Sequence, residues 1–141
     1  MRRYYVFKLK KEFIKLYSDN PINLYDNLRR IFYSDKKYLN YNYNLYNQMI
    51  ERLDKEQIDA YLYIKLHNKM FYLKKDGEHI INNLYKDEVS ILKIKNSYIV
   101  IEVNNNDSMF FKFLSDYYRD FFVCDFENID YFFLKNIKSL V

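Results

Sequence analysis

The 141-residue sequence has very few of the residues that form tight turns or disulfides: one glycine, one proline, one cysteine, one alanine and no tryptophan. The single glycine excludes the glycine-rich loops that hold phosphates in nucleotide-binding enzymes. The single cysteine, Cys124, excludes an internal disulfide and fits a reducing compartment. The longest uninterrupted apolar run, Ala60 to Ile64, is five residues, too short for a membrane span or a signal-peptide core. Since a strand beginning at residue 2 also leaves no room for a targeting peptide, we expect a cytoplasmic protein.

Aromatic residues are abundant instead, with 17 tyrosines and 12 phenylalanines. Half of the residues are hydrophobic and 30% are charged, which is typical of a folded globular protein. The length indicates a single domain over residues 1–141. The net charge is +4, but acidic residues are interspersed along the whole chain, so no concentrated basic region is evident. The scarcity of Gly, Pro and Ala and the excess of Asn, Tyr, Lys, Ile and Phe match an AT-rich coding sequence, which reduces the weight of any single tyrosine or lysine as a sign of function.

The first 17 residues predict a strand followed directly by a short helix. Tyr5, Phe7 and Leu9 alternate with other residues, which indicates a strand with one buried face. Phe13 and Tyr17 are spaced i, i+4 and therefore share one face of the helix. Asn20 as N-cap and Pro21 at the first helical position then predict a second helix, to about residue 33. Its apolar face would consist of Leu24, Leu28, Ile31 and Phe32.

A third helix is predicted from Lys36 to Leu53. Its apolar stripe consists of Leu39, Tyr43, Tyr46, Ile50 and Leu53, of which we assign Leu39, Ile50 and Leu53 to the core. Strict alternation over residues 58–66 favours a strand, although helix propensity near residues 54–59 opposes it. Another extended piece is expected at residues 70–73.

The C-terminal half predicts further strands around one helix. Residues 89–103 form a hairpin with Asn96-Ser97 as its turn. After a polar break at residues 104–107, a helix would bury Phe110, Phe113, Leu114 and Tyr117. A strand buried on both faces at residues 121–126 and a last strand at residues 131–134 complete the chain. The predicted fold class is α+β, with three helices after the first strand and helices packed on a mostly antiparallel sheet.

The search for catalytic or metal-binding residues assigns none, and no cofactor is implied. Cys124 lies in an apolar strand and is expected to be a buried, inert thiol. Asp76, Glu78 and His79 match no metal-ligand spacing, and a solvated turn around Gly77 is the preferred interpretation. A further acidic residue, Asp125, lies among apolar neighbours and is expected to hold the last turn together, because a buried carboxylate needs partners.

A nucleic-acid-binding module is the alternative function. Lysines and tyrosines are interleaved at residues 36–38 and 72–75, where aromatic rings could stack on bases. However, the RNA-recognition signature requires glycines that this chain lacks. A solvated charged face is the preferred interpretation of both segments.

Two blocks of residues resemble those of a known family. The first contains Tyr4-Tyr5, Glu12-Phe13 and Tyr17, and the second runs from Cys124-Asp125-Phe126 to Tyr131 and Leu134. In both blocks, and in the length between them, the chain resembles the SirA family, the sporulation inhibitors of replication. It departs from the family pattern at Phe133, where the family has Trp, and at Lys135-Asn136, where the family has Asn-Pro. Residues 54–85 align poorly.

The resemblance implies a protein that blocks the initiation of chromosome replication during sporulation by binding the N-terminal domain of the initiator DnaA. Such a protein occupies a surface and performs no chemistry. The family's binding face is centred on the first helix, at positions that match Phe13 and Tyr17, and a second contact from the following long helix matches Gln48 and Glu51. From the residues alone, Phe13 and Tyr17 would be assigned to the core, whereas the resemblance favours the interface, with Ile14 and Leu16 as partial substitutes in the core.

Overall fold

The structure, a computed structural model, describes residues 1–34, 37 and 39–137, with the side chain of Leu39 left out. In these residues it contains five α-helices and seven strands. In chain order they are β1 (Arg2–Phe7), α1 (Lys11–Tyr17), α2 (Pro21–Phe32), α3 (Leu39–Met49), α4 (Lys55–Leu66), β2 (Tyr72–Lys75), β3 (Glu78–Asn83), β4 (Glu88–Ile94), β5 (Ile99–Val103), α5 (Met109–Tyr117), β6 (Phe122–Asp125) and β7 (Asp130–Phe133). Single 3₁₀ turns follow β3 and β7.

The strands form one sheet in the order β2-β3-β4-β5-β1-β6-β7, with every neighbouring pair antiparallel. Helices α4 and α5 contribute to the core on one face, and α2 and α3 contribute to the core on the other. The predicted α+β class, with helices packed on an antiparallel sheet, is therefore confirmed.

Strand β1 is central and is buried on both faces, so the expectation of one buried face was wrong. Tyr4 and Val6 point into the core beneath α4 and α5, whereas Phe7 belongs to the core beneath α2 and α3. Successive side chains of a strand point to opposite faces, and helices pack on both faces of the sheet, so both faces of β1 find apolar partners. The late strand β6 is also buried on both faces, as predicted.

Residues 55–66 form helix α4, so the strand favoured for residues 58–66 was wrong, and four helices rather than three follow β1. Ile58, Leu62 and Leu66 are buried at i, i+4 and i+8, whereas Ile64 is exposed. The apolar residues of this segment satisfy both a twofold and a helical period, and the helical stripe is the one that faces the core. The Asp54 carboxylate caps the helix by accepting from the Gln57 amide at 3.1 Å.

The Asp76-Gly77 pair is the two-residue turn of a hairpin between β2 and β3. Both residues have positive φ, 53° and 78°, which matches the backbone of the turns that join tightly paired strands. Lys75 pairs with Glu78 across the turn. His79 is therefore a buried strand residue, and placing it with Asp76 and Glu78 in a solvated turn was wrong.

The remaining predictions agree with the structure in type and nearly in position. Helices α1, α2 and α5 and the β4–β5 hairpin are confirmed, and the cap of α5 is Ser108, whose hydroxyl accepts from the Phe110 amide. Helix α3 is confirmed from residue 39 to 49 but ends before the predicted limit, Leu53. Ile50 is buried as expected, in a bridge beyond the helix, and Leu53 is partly buried against the core. The predicted start of α3 at Lys36 and the core assignment of the Leu39 side chain lie outside the described residues.

Strands β2 to β5 are only partly covered on the face that carries α2 and α3. Leu73, Ile80 and Ile91 follow one another across three paired strands, and none of them belongs to either core. Lys93 and Val100 pair in the adjacent part of the same face. Glu78 and Glu102 lie on this face too, so the helices leave a mixed apolar and charged surface beside them.

Candidate partner-binding surface

The end of α3 holds the segment that leads into α1. The Lys10 amide donates to the Met49 carbonyl at 2.9 Å, and the Glu51 amide donates to the Lys8 carbonyl at 2.8 Å. The residues between them pair as an antiparallel bridge and are buried. This short ladder fixes the direction in which α1 leaves the sheet.

The Phe13 and Tyr17 side chains stack on each other on one face of α1. Their ring centroids are 6.3 Å apart, and the ring planes differ by only 16°. Both side chains are half-buried against the core beneath α2 and α3. The Asn27 amide of α2 donates to the Tyr17 hydroxyl at 3.0 Å, which fixes the orientation of that ring. The pair is thus held in one geometry while part of each ring stays open to a partner.

Leu16 is 63% exposed, so its assignment as a partial core substitute was wrong. Ile14 is half-buried and does pack against the core. On a helix, Leu16 lies at i+3 from Phe13 and therefore next to the Phe13–Tyr17 pair. The open face of α1 thus contains three apolar side chains, and the i, i+3, i+4 spacing in the sequence was the signal that could have identified the third.

Gln48 and Glu51 lie exposed near the C-terminal end of α3. The Lys8 ammonium forms an ion pair with the Glu51 carboxylate at 3.6 Å, an interaction that the sequence did not predict. Gln48 lies in the last turn of α3, whereas Glu51 lies two residues beyond the end of that helix, beside the segment that leads into α1. In the described part of the chain no hydrogen bond, ion pair or ring contact joins Gln48 or Glu51 to Phe13 or Tyr17, so the link between the two parts of the candidate site is the backbone ladder.

The side chains considered as catalytic or metal-binding candidates lie in structural positions. Among the described residues, no three His, Cys, Asp or Glu side chains come together in a way that could hold a metal ion. The Cys124 thiol is fully buried, and burial raises its pKa well above the ordinary value. The Asp125 carboxylate accepts from the backbone amides of Glu127 and Asn128, both at 3.1 Å, so it stabilises the turn between β6 and β7 as predicted.

One of the two segments considered for nucleic-acid binding is occupied by internal contacts. The Lys74 ammonium lies 2.7 Å from the Asp59 carboxylate, and the Tyr72 hydroxyl lies 2.6 Å from His79 Nδ1. Neither polar group is free to contact a phosphate without losing an existing partner. In the other segment, Lys36 and Tyr38 lie outside the described residues. Of the helices that the structure describes, none combines the length and the apolar character needed to cross a membrane.

These features define an α+β protein whose candidate site is a contact surface of aromatic and polar side chains. The family model described as Sporulation inhibitor of replication protein SirA matches residues 2–138, and the chain belongs to that family. The resemblance of the N-terminal and C-terminal blocks is thereby confirmed over nearly the whole chain. No curated protein matches the chain. The family description identifies a regulatory protein, a sporulation inhibitor of replication.

Proposed function

We propose that this protein inhibits the initiation of chromosome replication by binding the N-terminal domain of DnaA through the surface that contains Phe13, Tyr17, Gln48 and Glu51. It acts by covering a surface of DnaA and catalyses no reaction. The inhibition of replication is inferred from the family to which the chain belongs. The choice of DnaA as the partner rests on the resemblance of the matching positions in α1 and α3.

The observation that supports this surface most directly is the stacked Phe13–Tyr17 pair. An aromatic ring that is already fixed loses little side-chain freedom when a partner covers it, and such rings dominate the energy of many interfaces. The hydrogen bond from Asn27 fixes Tyr17, and the stack fixes Phe13 against Tyr17. Leu16 extends the apolar area, and Gln48 with Glu51 supplies a polar rim of the kind that surrounds apolar interface centres.

The test is a calorimetric titration of the full chain with the N-terminal domain of DnaA. Phe13→Ala and Tyr17→Ala should each weaken binding by roughly thirtyfold or more, because an anchor at the centre of an interface contributes about 2 kcal/mol. Tyr63→Ala is the control, since Tyr63 is a tyrosine, more exposed than Tyr17, on α4, which packs on the opposite face of the sheet. It should leave the affinity unchanged.

Two results would contradict the proposal. If Phe13→Ala and Tyr17→Ala keep both the fold and the wild-type affinity, the interface lies elsewhere. If the chain does not bind the DnaA domain but binds duplex DNA at submicromolar concentration, with affinity falling steeply as salt is raised, the nucleic-acid-binding alternative is correct. We expect weak duplex binding, because charges of both signs are mixed along the chain.

A further inference from the structure

A groove of about 690 Å³ lies between α2, α3, strand β1 and the β4–β5 turn, beside the uncovered part of the sheet. Its walls are largely aromatic. Six of the rings that line it are those of Tyr5, Phe7, Phe32, Tyr43, Tyr46 and Tyr98. This volume is in the range of sites that enclose small molecules, roughly 300–1,000 Å³. Neither Phe13 nor Tyr17 lines it, whereas Glu51 belongs both to the groove and to the proposed partner-binding surface.

The rings are held in place by contacts with one another and with the β4–β5 turn. The Tyr46 hydroxyl donates to Ser97 in the β4–β5 turn, at 3.1 Å to the carbonyl and 3.0 Å to the hydroxyl. The Tyr5 ring lies 5.1 Å from that of Phe32 and 5.8 Å from that of Tyr98, measured between centroids. Flat rings at fixed positions favour a flat aromatic guest, because stacking then adds to apolar burial.

The rim of the groove is positively charged. Lys10 and Arg52 line it, and neither forms an ion pair with any carboxylate in the part of the chain that the structure describes. The acidic rim residue, Glu51, is already paired with Lys8. Next to the groove, the Lys93 ammonium lowers the pKa of Lys95, but Glu78 pairs with Lys93 across the strands and Glu102 lies in the same depression. The cationic partners for a negative group on a guest are therefore Lys10 and Arg52 at the rim.

We propose that this groove binds a small, planar aromatic molecule that carries a negative charge. The ring system enters between the tyrosine and phenylalanine side chains, and the anionic group lies at the rim with Arg52 and Lys10. A neutral aromatic molecule would gain the stacking but not the charge interaction, and an aliphatic anion would gain only the charge interaction. The site therefore selects for both features together.

The test uses two dyes with closely related ring systems and different charge, the anionic anilinonaphthalene sulfonate and the neutral phenylnaphthylamine. Fluorescence titration of the purified full chain should show one anionic dye per chain, bound about tenfold more tightly than the neutral dye. Raising the salt concentration should weaken the anionic dye only, because salt screens charge but not stacking.

Matched variants locate the dye. Tyr43 and Tyr41 are 64% and 69% exposed on the same helix, but only Tyr43 lines the groove, so Tyr43→Ala should weaken the anionic dye about tenfold and Tyr41→Ala should not. Arg52→Gln should weaken it about fivefold, whereas Arg119→Gln, an exposed arginine outside the groove, should have no effect. Both substituted groove side chains are exposed, so the variants should fold.

Three results would overturn the proposal. If neither dye binds below about millimolar concentration, the groove has less affinity for aromatic anions than a useful site requires. If both dyes bind equally well and Arg52→Gln has no effect, the groove is an apolar surface without charge selection. If Tyr41→Ala and Tyr43→Ala behave alike, the dye binds elsewhere.

Discussion

The His79 imidazole lies 2.6 Å from the Asp59 carboxylate, joining β3 to α4 in an otherwise apolar part of the core. On the other side of the ring, Nδ1 lies 2.6 Å from the Tyr72 hydroxyl. Burial raises the pKa of Tyr72 to about 12, so this hydroxyl keeps its proton and donates to Nδ1. Nε2–H then donates to Asp59, which satisfies both nitrogens of a neutral, fully buried imidazole.

The first prediction is that stability falls as the pH is lowered below about 6.5, the ordinary histidine pKa. Burial lowers the pKa of His79, so the unfolded chain binds a proton that the folded chain does not. The free energy of unfolding should therefore decrease towards acid, by at most about 1.4 kcal/mol per pH unit for one proton. Urea unfolding at a series of pH values from about 7.5 to 5 measures this slope.

His79→Gln should remove most of that slope, although it will also lower stability at every pH because it disturbs a buried hydrogen-bonded site. His67→Gln is the matched control, since His67 is an exposed imidazole at the end of α4 and should leave the slope nearly unchanged. A wild-type protein that becomes more stable on acidification through this range would show that His79 is protonated and ion-paired with Asp59, contrary to the prediction.

The sequence predicted the local elements better than this tertiary contact. The hydrophobic patterns of residues 99–103 and 122–125 each fit only a strand, and both segments were correctly assigned as strands. Residues 58–66 satisfy two periods at once, and only packing against the sheet decides for the helix. The Asp59–His79 contact joins positions that are 20 residues apart across that helix and a hairpin, so no local pattern could have predicted it.

The second prediction concerns the stability of the proposed anchor. If Phe13 and Tyr17 were fully exposed, as the interface implied by the resemblance assumes, truncation of either would cost about 1 kcal/mol or less. Because both rings are half-buried, we now expect Phe13→Ala to lower the free energy of unfolding by about 1–3 kcal/mol, less than a full core truncation. Tyr17→Phe, which removes only the hydroxyl that accepts from Asn27, should lower it by about 1 kcal/mol. Urea unfolding of each variant gives these values.

A double-mutant cycle with Asn27→Ala tests whether the hydroxyl acts through this hydrogen bond. If it does, Tyr17→Phe should cost little more once Asn27 has been replaced. Tyr17→Phe should also retain most of the binding to the DnaA domain, since the ring is the proposed anchor. Additive losses of stability in the double variant would contradict the assigned role of the hydrogen bond.

The third prediction compares two aspartates that contact the same arginine. Arg2 Nε donates to Asp125 at 2.9 Å, and Arg2 Nη2 donates to Asp130 at 3.2 Å. Asp125 is 1% exposed and also holds Asn128, whereas Asp130 is 45% exposed. Asp125→Ala should lower the free energy of unfolding by about 3 kcal/mol, because it breaks a buried pair and releases the last turn. Asp130→Ala should cost less than about 1 kcal/mol, and similar losses in urea unfolding would contradict this assignment.

The candidate site could be predicted only in part from the sequence, because it too depends on contacts between segments that are distant along the chain. The i, i+4 spacing of Phe13 and Tyr17 placed them on one face, but their half-burial depends on α2, which supplies the Asn27 donor. Likewise, the ion pair between Lys8 and Glu51 depends on the bridge between Leu9, which follows β1, and Ile50, which follows α3, about 40 positions later in the chain. Sequence periodicity identifies a face, whereas the neighbours of that face follow from the fold.

The last prediction is that Cys124 reacts only when the protein unfolds. Its thiol is fully buried in β6, and burial raises its pKa, so both access and thiolate formation are suppressed. At neutral pH, iodoacetamide should alkylate the native protein at least about a thousandfold more slowly than the urea-unfolded chain, as expected for global opening of a stable domain. A Cys124→Ala protein with Tyr85→Cys, whose position is fully exposed, should react at the unfolded rate and serves as the control. Rapid alkylation of native Cys124 would mean that β6 opens locally or that the thiol is accessible, and it would reopen the question of a reactive cysteine.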